Sequence, residues 1–152
     1  MYGESRVVLM EAKKYLREVG KLNYMIQNKT AELEMWRSVA IGISGSSDGE
    51  RVQSSGNPQR MADAVVKCVE TERQISECIR RRDRIIEDIE RLPSEEYDLV
   101  HKRYVQQHTL GEIAAESDKS YSRTRSIHST ALKHMQEILD ERKEKQCIKI
   151  DG

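Results

Sequence analysis

The sequence predicts an all-α protein: a long antiparallel, coiled-coil-like helical hairpin followed by a helix-turn-helix with an extended last helix. Apolar residues recur at alternating spacings of four and three along two long stretches, as in a helix buried along one narrow face. Hydrophobic residues make up 37% and charged residues 34% of 152, which is too polar for one large core. Both prolines, Pro58 and Pro93, lie outside the periodic stretches, as a mostly helical chain requires.

The first periodic stretch runs from Ser5 to about Ala40 and predicts one long helix. Its apolar series is Val8, Ala12, Tyr15, Val19, Leu22, Ile26, Lys29, Leu33, Trp36 and Ala40. Lys29 is a charged interruption of this seam. Gly20 is expected to weaken the helix by about 1 kcal/mol relative to alanine.

The segment 42–58 is rich in glycine and serine and has no periodicity. It predicts a loop that reverses the chain. It lacks the spacing of a nucleotide-binding loop, which leaves a flexible connection or a specific contact site as its role.

The second periodic stretch extends from Gln59 to Leu92, and Pro93 ends it. Its series is Met61, Val65, Cys68, Glu72, Ile75, Ile79, Arg82, Ile86 and Ile89. The two stretches have similar length, so they are expected to pair as an antiparallel hairpin with Lys29 opposite Glu72. Such an ion pair would stabilise little but would fix the register. Because a hairpin buries only one face of each helix, we also expect a homo-oligomer.

The segment from Leu92 to Met135 predicts a short helix followed by a helix-turn-helix. Ser94 is expected to cap the short helix. Thr109 and Glu112 have the spacing of a capping box, in which each side chain bonds the backbone amide of the other residue.

A break of turn-forming residues at 118–120 precedes the last helix, which Ser120 is expected to cap. The inward row of this helix is predicted to be Thr124, Ile127, Ala131 and Met135. The opposite face carries short or basic side chains, namely Ser122, Arg123, Ser126 and Ser129. No acidic residue occurs between Lys119 and Gln136, as a helix lying against phosphates requires.

This pattern predicts that a recognition helix, about residues 120–134, enters the major groove of double-stranded DNA. Arg123 is the first candidate for a base contact, because a guanidinium can pair bidentately with guanine. Ser122 and Ser126 are expected to contact bases or bound water. Tyr121 either contacts a phosphate or packs. Phosphate contacts are expected from the other basic residues and from the capped amides of the preceding helix: Lys119, Arg125, Lys133 and Thr109.

The segments LPSEEYDLVHKRY, TLGEIAAES and YSRTRSIHSTALKHM resemble the DNA-binding region 4 of bacterial sigma factors. They resemble still more closely the phage and prophage transcriptional regulators of the RinA and ArpU kind, and DGERVQSSGNPQRMADAVVK resembles uncharacterised phage proteins of that group. Thr124 and Ser126 depart from the sigma pattern, so no target sequence is carried over. The resemblance implies late-gene regulation in a bacterial cytoplasm and contact with host RNA polymerase.

Two alternatives belong to other functional classes. A DNA-packaging component resembling the small subunit of phage terminase would also join a helix-turn-helix to an oligomerisation region, but as a large ring. A coiled-coil adaptor would not bind DNA at all. We expect neither an enzyme nor a cofactor, because the sequence has no catalytic set, nucleotide loop or metal-ligand spacing. The longest apolar run is far too short for a membrane span.

The predicted domain limits are 1–91 for the hairpin and 92–146 for the helix-turn-helix, with a flexible tail at 147–152. The three cysteines, Cys68, Cys78 and Cys147, form no C-x-x-C pair and are expected to be ordinary thiols in a reducing cytoplasm.

Overall fold

The computed structural model describes residues 2–42 and 57–150, with the side chains of residues 2–9 excepted. Within these ranges all regular elements are helical, which confirms the predicted all-α class. The elements are α1 (Tyr2–Ala40), α2 (Pro58–Glu90), α3 (Ser94–Val100), a π-helical turn (His101–Val105), α4 (Leu110–Glu116) and α5 (Tyr121–Ile150). None of the described helices is both long enough and apolar enough to cross a lipid bilayer. Most of the predicted loop, residues 43–56, lies outside the described residues.

The chain divides into two compact units. One consists of residues 22–81 and is called the hairpin unit; the other joins residues 1–21 to residues 82–152 and is called the helix-turn-helix unit. The division therefore passes through both predicted hairpin arms, whereas the predicted boundary lies between residues 91 and 92. The reason is that the start of α1 and the end of α2 are packed with α5.

In the hairpin unit, the second arm buries a different row from the one that the sequence predicts. Ala64, Thr71 and Cys78 are buried, each one residue before the predicted Val65, Glu72 and Ile79. Both rows have helical spacing, but the observed row avoids placing the Glu72 carboxylate in an apolar seam, which would be costly without a partner. The predicted seam is therefore wrong at Val65, Glu72 and Ile79, because the residue before each of them is the buried one.

The predicted pair of Lys29 with Glu72 is also wrong. The Lys29 amine donates to Gln74 Oε1 at 2.7 Å, two residues further along α2. Glu72 instead accepts from Arg37 Nη2 at 3.0 Å, and both side chains of this pair are about half exposed. An exposed pair contributes little to stability, so the burial of small side chains, more than charge pairing, sets the register here.

In the helix-turn-helix unit, α5 extends to Ile150, so the predicted flexible tail is wrong for residues 147–150, which continue the helix. Met135 and Ile138 are buried. Gln136 Nε2 donates to Glu11 Oε2 of α1 at 3.2 Å. The extension of α5 therefore packs along α1.

Gly20 has a packing role that the sequence did not indicate. A Cβ at this position would lie 2.7 Å from Nε2 of Gln107, in the turn before α4. Gln107 has a left-handed backbone, with φ of 63°, and its side-chain amide donates to the Tyr104 carbonyl at 2.6 Å. The missing side chain of Gly20 thus lets α1 approach the turn that leads into the helix-turn-helix.

Candidate nucleic-acid interface

The first helix of the motif region, α3, begins one residue earlier than predicted. Pro93 is its N-cap, with extended backbone angles, and Ser94 is the first helical residue and makes no capping hydrogen bond. Proline at this position already lacks a backbone N–H, while Glu95 and Glu96 complement the positive helix end. The predicted cap at Ser94 is therefore wrong, but the predicted start of the helix is right within one residue.

The predicted capping box at the start of α4 is confirmed. The Glu112 amide donates to Thr109 Oγ1 at 3.2 Å, and the Thr109 amide donates to Glu112 Oε2 at 3.1 Å. The hydroxyl and the backbone amide of Thr109 are thus both hydrogen-bonded at the N-terminus of α4. Its first role is to fix where α4 starts, and hence how α5 is presented.

Replacing Thr109 with alanine is expected to lower the free energy of unfolding by about 1 kcal/mol, because one helix amide loses its acceptor. Thermal unfolding followed by circular dichroism measures this. Thr130→Ala is the matched control, since the Thr130 hydroxyl donates only to the Ser126 carbonyl on the exposed face of α5. Equal losses in the two variants would contradict a specific capping role.

The turn between α4 and α5 comprises residues 117–120, one more than the predicted break. Asp118 has a left-handed backbone with φ of 54°, and the Lys119 amide donates to the Ala114 carbonyl at 3.2 Å. This is the bonding of a Schellman helix end, in an aspartate rather than the usual glycine. Ser120 Oγ then accepts from the Arg123 amide at 3.1 Å, which confirms the predicted cap of α5.

The inner face of α5 agrees with its predicted row, and burial of its members is confirmed: Thr124, Ile127, Ala131 and Met135. His128, which was not among the predicted inward residues, is 8% exposed, and its Nε2 lies 2.8 Å from the Tyr104 hydroxyl. Burial lowers the pKa of His128 to about 4 and raises the pKa of Tyr104. His128 is therefore neutral at physiological pH and belongs to the core.

The outer face of α5 is exposed over the residues predicted to face DNA: Ser122, Arg123, Ser126, Ser129 and Lys133. The Ser126 hydroxyl donates to the Ser122 carbonyl at 3.1 Å, one turn earlier. Its oxygen lone pairs remain available to a donor outside the helix. The centre of this face thus presents short side chains that permit close approach of another surface.

One edge of the outer face is formed by Tyr121 and Arg125. The Arg125 guanidinium carbon lies 6.0 Å from the centroid of the Tyr121 ring, and Tyr121 is 54% exposed. A shallow recess is lined by these two residues and by Ser122, Ser126 and Ser129. Of the two predicted roles of Tyr121, exposure favours a surface contact over packing in the core.

The other edge contains an acidic residue from α3 that the sequence analysis did not connect with this surface. Glu95 Oε1 accepts from Lys119 Nζ at 2.9 Å, and Glu95 Oε2 lies 3.6 Å from Arg123 Nη2. The hydrogen bond from Lys119 is the main cause that lowers the pKa of Glu95, and the Arg123 charge acts in the same direction. One carboxylate therefore bridges the turn and the first turn of α5.

Glu96, the next residue of α3, makes a second connection to α5. Its side chain is buried, and its Oε2 lies 2.7 Å from Nδ1 of His134. This hydrogen bond to a carboxylate raises the pKa of His134. Together Glu95 and Glu96 tie the beginning of α3 to two places on α5.

Comparison with known families agrees with this geometry. No curated protein and no solved structure matches the chain. Residues 89–137, about a third of the chain, match the family described as sigma-70, region 4. The matched segment runs from the end of α2 through α3 and α4 into α5. These residues therefore form a helix-turn-helix of the sigma region 4 type, a DNA-binding module.

Proposed function

We propose that the protein is a sequence-specific, DNA-binding transcriptional regulator of phage or prophage late genes. In this proposal residues 120–134 of α5 lie in the major groove of double-stranded DNA. The observation that carries the proposal is the outer face of α5, where Arg123 and Ser126 are exposed and no acidic residue of the helix itself interrupts the surface before Glu137. Burial of those two side chains within the chain's own packing would have removed the reading surface.

The dimensions and charge of this face suit the groove. The major groove is about 12 Å wide and admits a single α-helix. The serines at the centre of the face allow the helix axis to approach base edges, while basic side chains stand at its edges. We assign base contacts to Arg123, with Ser122, Ser126 and Ser129 beside it, and phosphate contacts to Lys119, Tyr121, Arg125 and Lys133. Thr109 contributes mainly by holding α4 in place.

The phage context and the contact with host RNA polymerase extend the proposal beyond DNA binding. Both are supported by the similarity of residues 92–135 to the phage regulators that use a sigma-like module. A homo-oligomer is part of the same proposal. The mass of the protein in solution tests it, since a dimer agrees with transcriptional regulation and a large ring would instead favour DNA packaging.

Arg123→Ala is expected to remove a discrete set of genomic sites from the protein's DNA occupancy. Losing one bidentate guanine contact should weaken binding to such a site by about 1–3 kcal/mol, or roughly 5- to 150-fold. Genome-wide occupancy of the wild type and the variant identifies the sites, and titration of the purified protein with a duplex carrying one of them gives the affinity.

Arg73→Ala is the matched control for this experiment. Arg73 is an exposed arginine of the hairpin unit and pairs with Glu77 on its own helix. It should leave both occupancy and affinity unchanged. Diffuse occupancy that is the same in wild type and Arg123→Ala would contradict sequence-specific regulation.

A further inference from the structure

We infer that Glu95 is a specificity-determining positioning residue, which holds Arg123 in the orientation for reading a base and opposes non-specific contact with phosphates. The inference rests on the proposed function, since it concerns how the same surface discriminates among DNA sequences. Glu95 lies outside the recognition helix and would touch neither base nor phosphate in a productive complex.

The geometry places one carboxylate between two cations of the proposed DNA surface. Glu95 belongs to the first turn of α3, and its side chain is 45% exposed. One oxygen accepts from Lys119 Nζ at 2.9 Å, and the other lies 3.6 Å from Arg123 Nη2. Lys119 lies in the turn that precedes α5 and Arg123 lies in the first turn of α5, so the carboxylate spans the entry to the helix.

The chemistry of the guanidinium allows Arg123 to keep this partner while it reads a base. A guanidinium has five N–H donors in a planar fork, and the ion pair with Glu95 engages one nitrogen. Other donors remain for the bidentate pair with guanine O6 and N7. A long side chain that is already held by a carboxylate loses less rotamer freedom when it binds. Glu95 therefore favours the one geometry in which Arg123 meets a base edge.

The same carboxylate weakens contacts that carry no sequence information. Non-specific binding depends almost entirely on basic residues that neutralise phosphates. A negative charge beside Lys119 and Arg123 offsets part of their attraction to any phosphate, whatever the sequence. Glu95 should thus lower affinity for arbitrary DNA while it raises the ratio of specific to non-specific affinity.

A purely structural role for Glu95 would have a different consequence. Both ion pairs are about half exposed to water, where such pairs contribute little to stability. The proposed effect arises in the DNA complex, where water is excluded and charge interactions are stronger. Removing the charge should therefore change DNA binding and leave the melting temperature nearly unchanged.

Asp98 provides the matched control on the same helix. Its carboxylate pairs with Lys102 Nζ at 3.0 Å, one turn further along, and its side chain is 58% exposed. Glu95→Gln and Asp98→Asn make the same change in net charge and each replaces a carboxylate by an amide. Only the first removes a carboxylate that contacts Arg123.

The experiment uses the full-length protein and two duplexes: one carries a site identified by genomic occupancy, and the other is its scrambled counterpart. Affinities are measured by fluorescence anisotropy over a series of potassium chloride concentrations. For Glu95→Gln we expect tighter binding to the scrambled duplex and a steeper salt dependence. The ratio of specific to non-specific affinity should fall by about fivefold or more, the lower limit for one bidentate contact. Asp98→Asn should shift both affinities equally, and its ratio should match the wild type.

Adding Glu95→Gln to Arg123→Ala tests whether Glu95 acts through Arg123. We expect the double variant to discriminate no worse than Arg123→Ala alone. An unchanged ratio in Glu95→Gln, or the same loss in Asp98→Asn, would overturn the inference while leaving the proposed function intact. If the wild type bound neither duplex, the proposed function and this inference would both fall.

Discussion

Replacing Arg142 with methionine is expected to lower the free energy of unfolding by about 3 kcal/mol. Arg142 Nη2 donates to Asp88 Oδ1, and Asp88 is 2% exposed. The Tyr15 hydroxyl donates to the other oxygen of the same carboxylate and accepts from Arg142 Nη1 at 3.2 Å. Without the guanidinium the carboxylate stays buried and loses its charge partner, which typically costs about 3–5 kcal/mol. The lower limit applies because the Arg142 side chain is 33% exposed.

Chemical denaturation of Arg142→Met measures this loss, and Arg91→Met is its control. Arg91, in the turn directly after α2, pairs with Glu141 of α5 at 3.0 Å, but both side chains are about half exposed. The control should cost less than about 1 kcal/mol. Replacing the whole cluster, with Tyr15→Phe, Asp88→Leu and Arg142→Met together, should recover much of the loss because no buried charge remains. Similar losses in Arg142→Met and Arg91→Met would contradict the assignment.

The cluster also explains why α5 continues so far beyond its recognition segment. Arg142 lies 21 residues after Tyr121, a distance of about 30 Å along a helix. At that point α5 is joined to α1 through Tyr15 and to α2 through Asp88. α5 is thus held at two well-separated places: near its start, where it follows the α4 helix that the Thr109 capping box begins, and at Arg142. The two attachments together restrict the direction in which α5 presents its outer face. In the proposed DNA complex, the role of the extension is therefore to orient α5.

The features that the sequence predicted correctly depend on neighbouring residues. The capping box of Thr109 with Glu112, the Ser120 cap and the inner row of α5 each involve residues within one or two helical turns. Local hydrogen-bonding geometry and helical periodicity determine such features, so a short window of sequence contains the information. His128 shares this periodicity with Thr124 and Leu132, so its burial was also predictable from neighbouring residues.

The features that the sequence did not reveal depend on distant residues. On α2, Val65 and Ala64 each belong to a row of helical spacing, and hydrophobicity favoured the wrong one. The right choice depends on which side chains α1 presents. Glu95 is 24 residues from Lys119, and Asp88 is 54 residues from Arg142. Opposite charges are so frequent in this chain that the sequence alone does not select these partners.

The stability of the helix-turn-helix unit is expected to fall by about 3 kcal/mol as the pH decreases from 6.5 to about 4, through His128. Burial holds the pKa of folded His128 at about 4, against 6.5 for an unperturbed histidine. The unfolded chain therefore binds a proton first as the pH decreases, and unfolding becomes more favourable throughout that interval. His128→Gln should be less stable at neutral pH but should lose little further stability between pH 6.5 and 4 from this position.

His134 contributes with the opposite sign and in the neighbouring interval. The Glu96 carboxylate raises its folded pKa above 6.5, so its stabilising contribution is complete below pH 6.5 and is lost as the pH rises through the folded value. The two histidines together predict greatest stability near pH 6.5. Denaturation at a series of pH values tests this: His134→Gln should flatten only the alkaline side, and His128→Gln only the acidic side. If both variants kept the wild-type profile, other groups would be responsible for the dependence on pH.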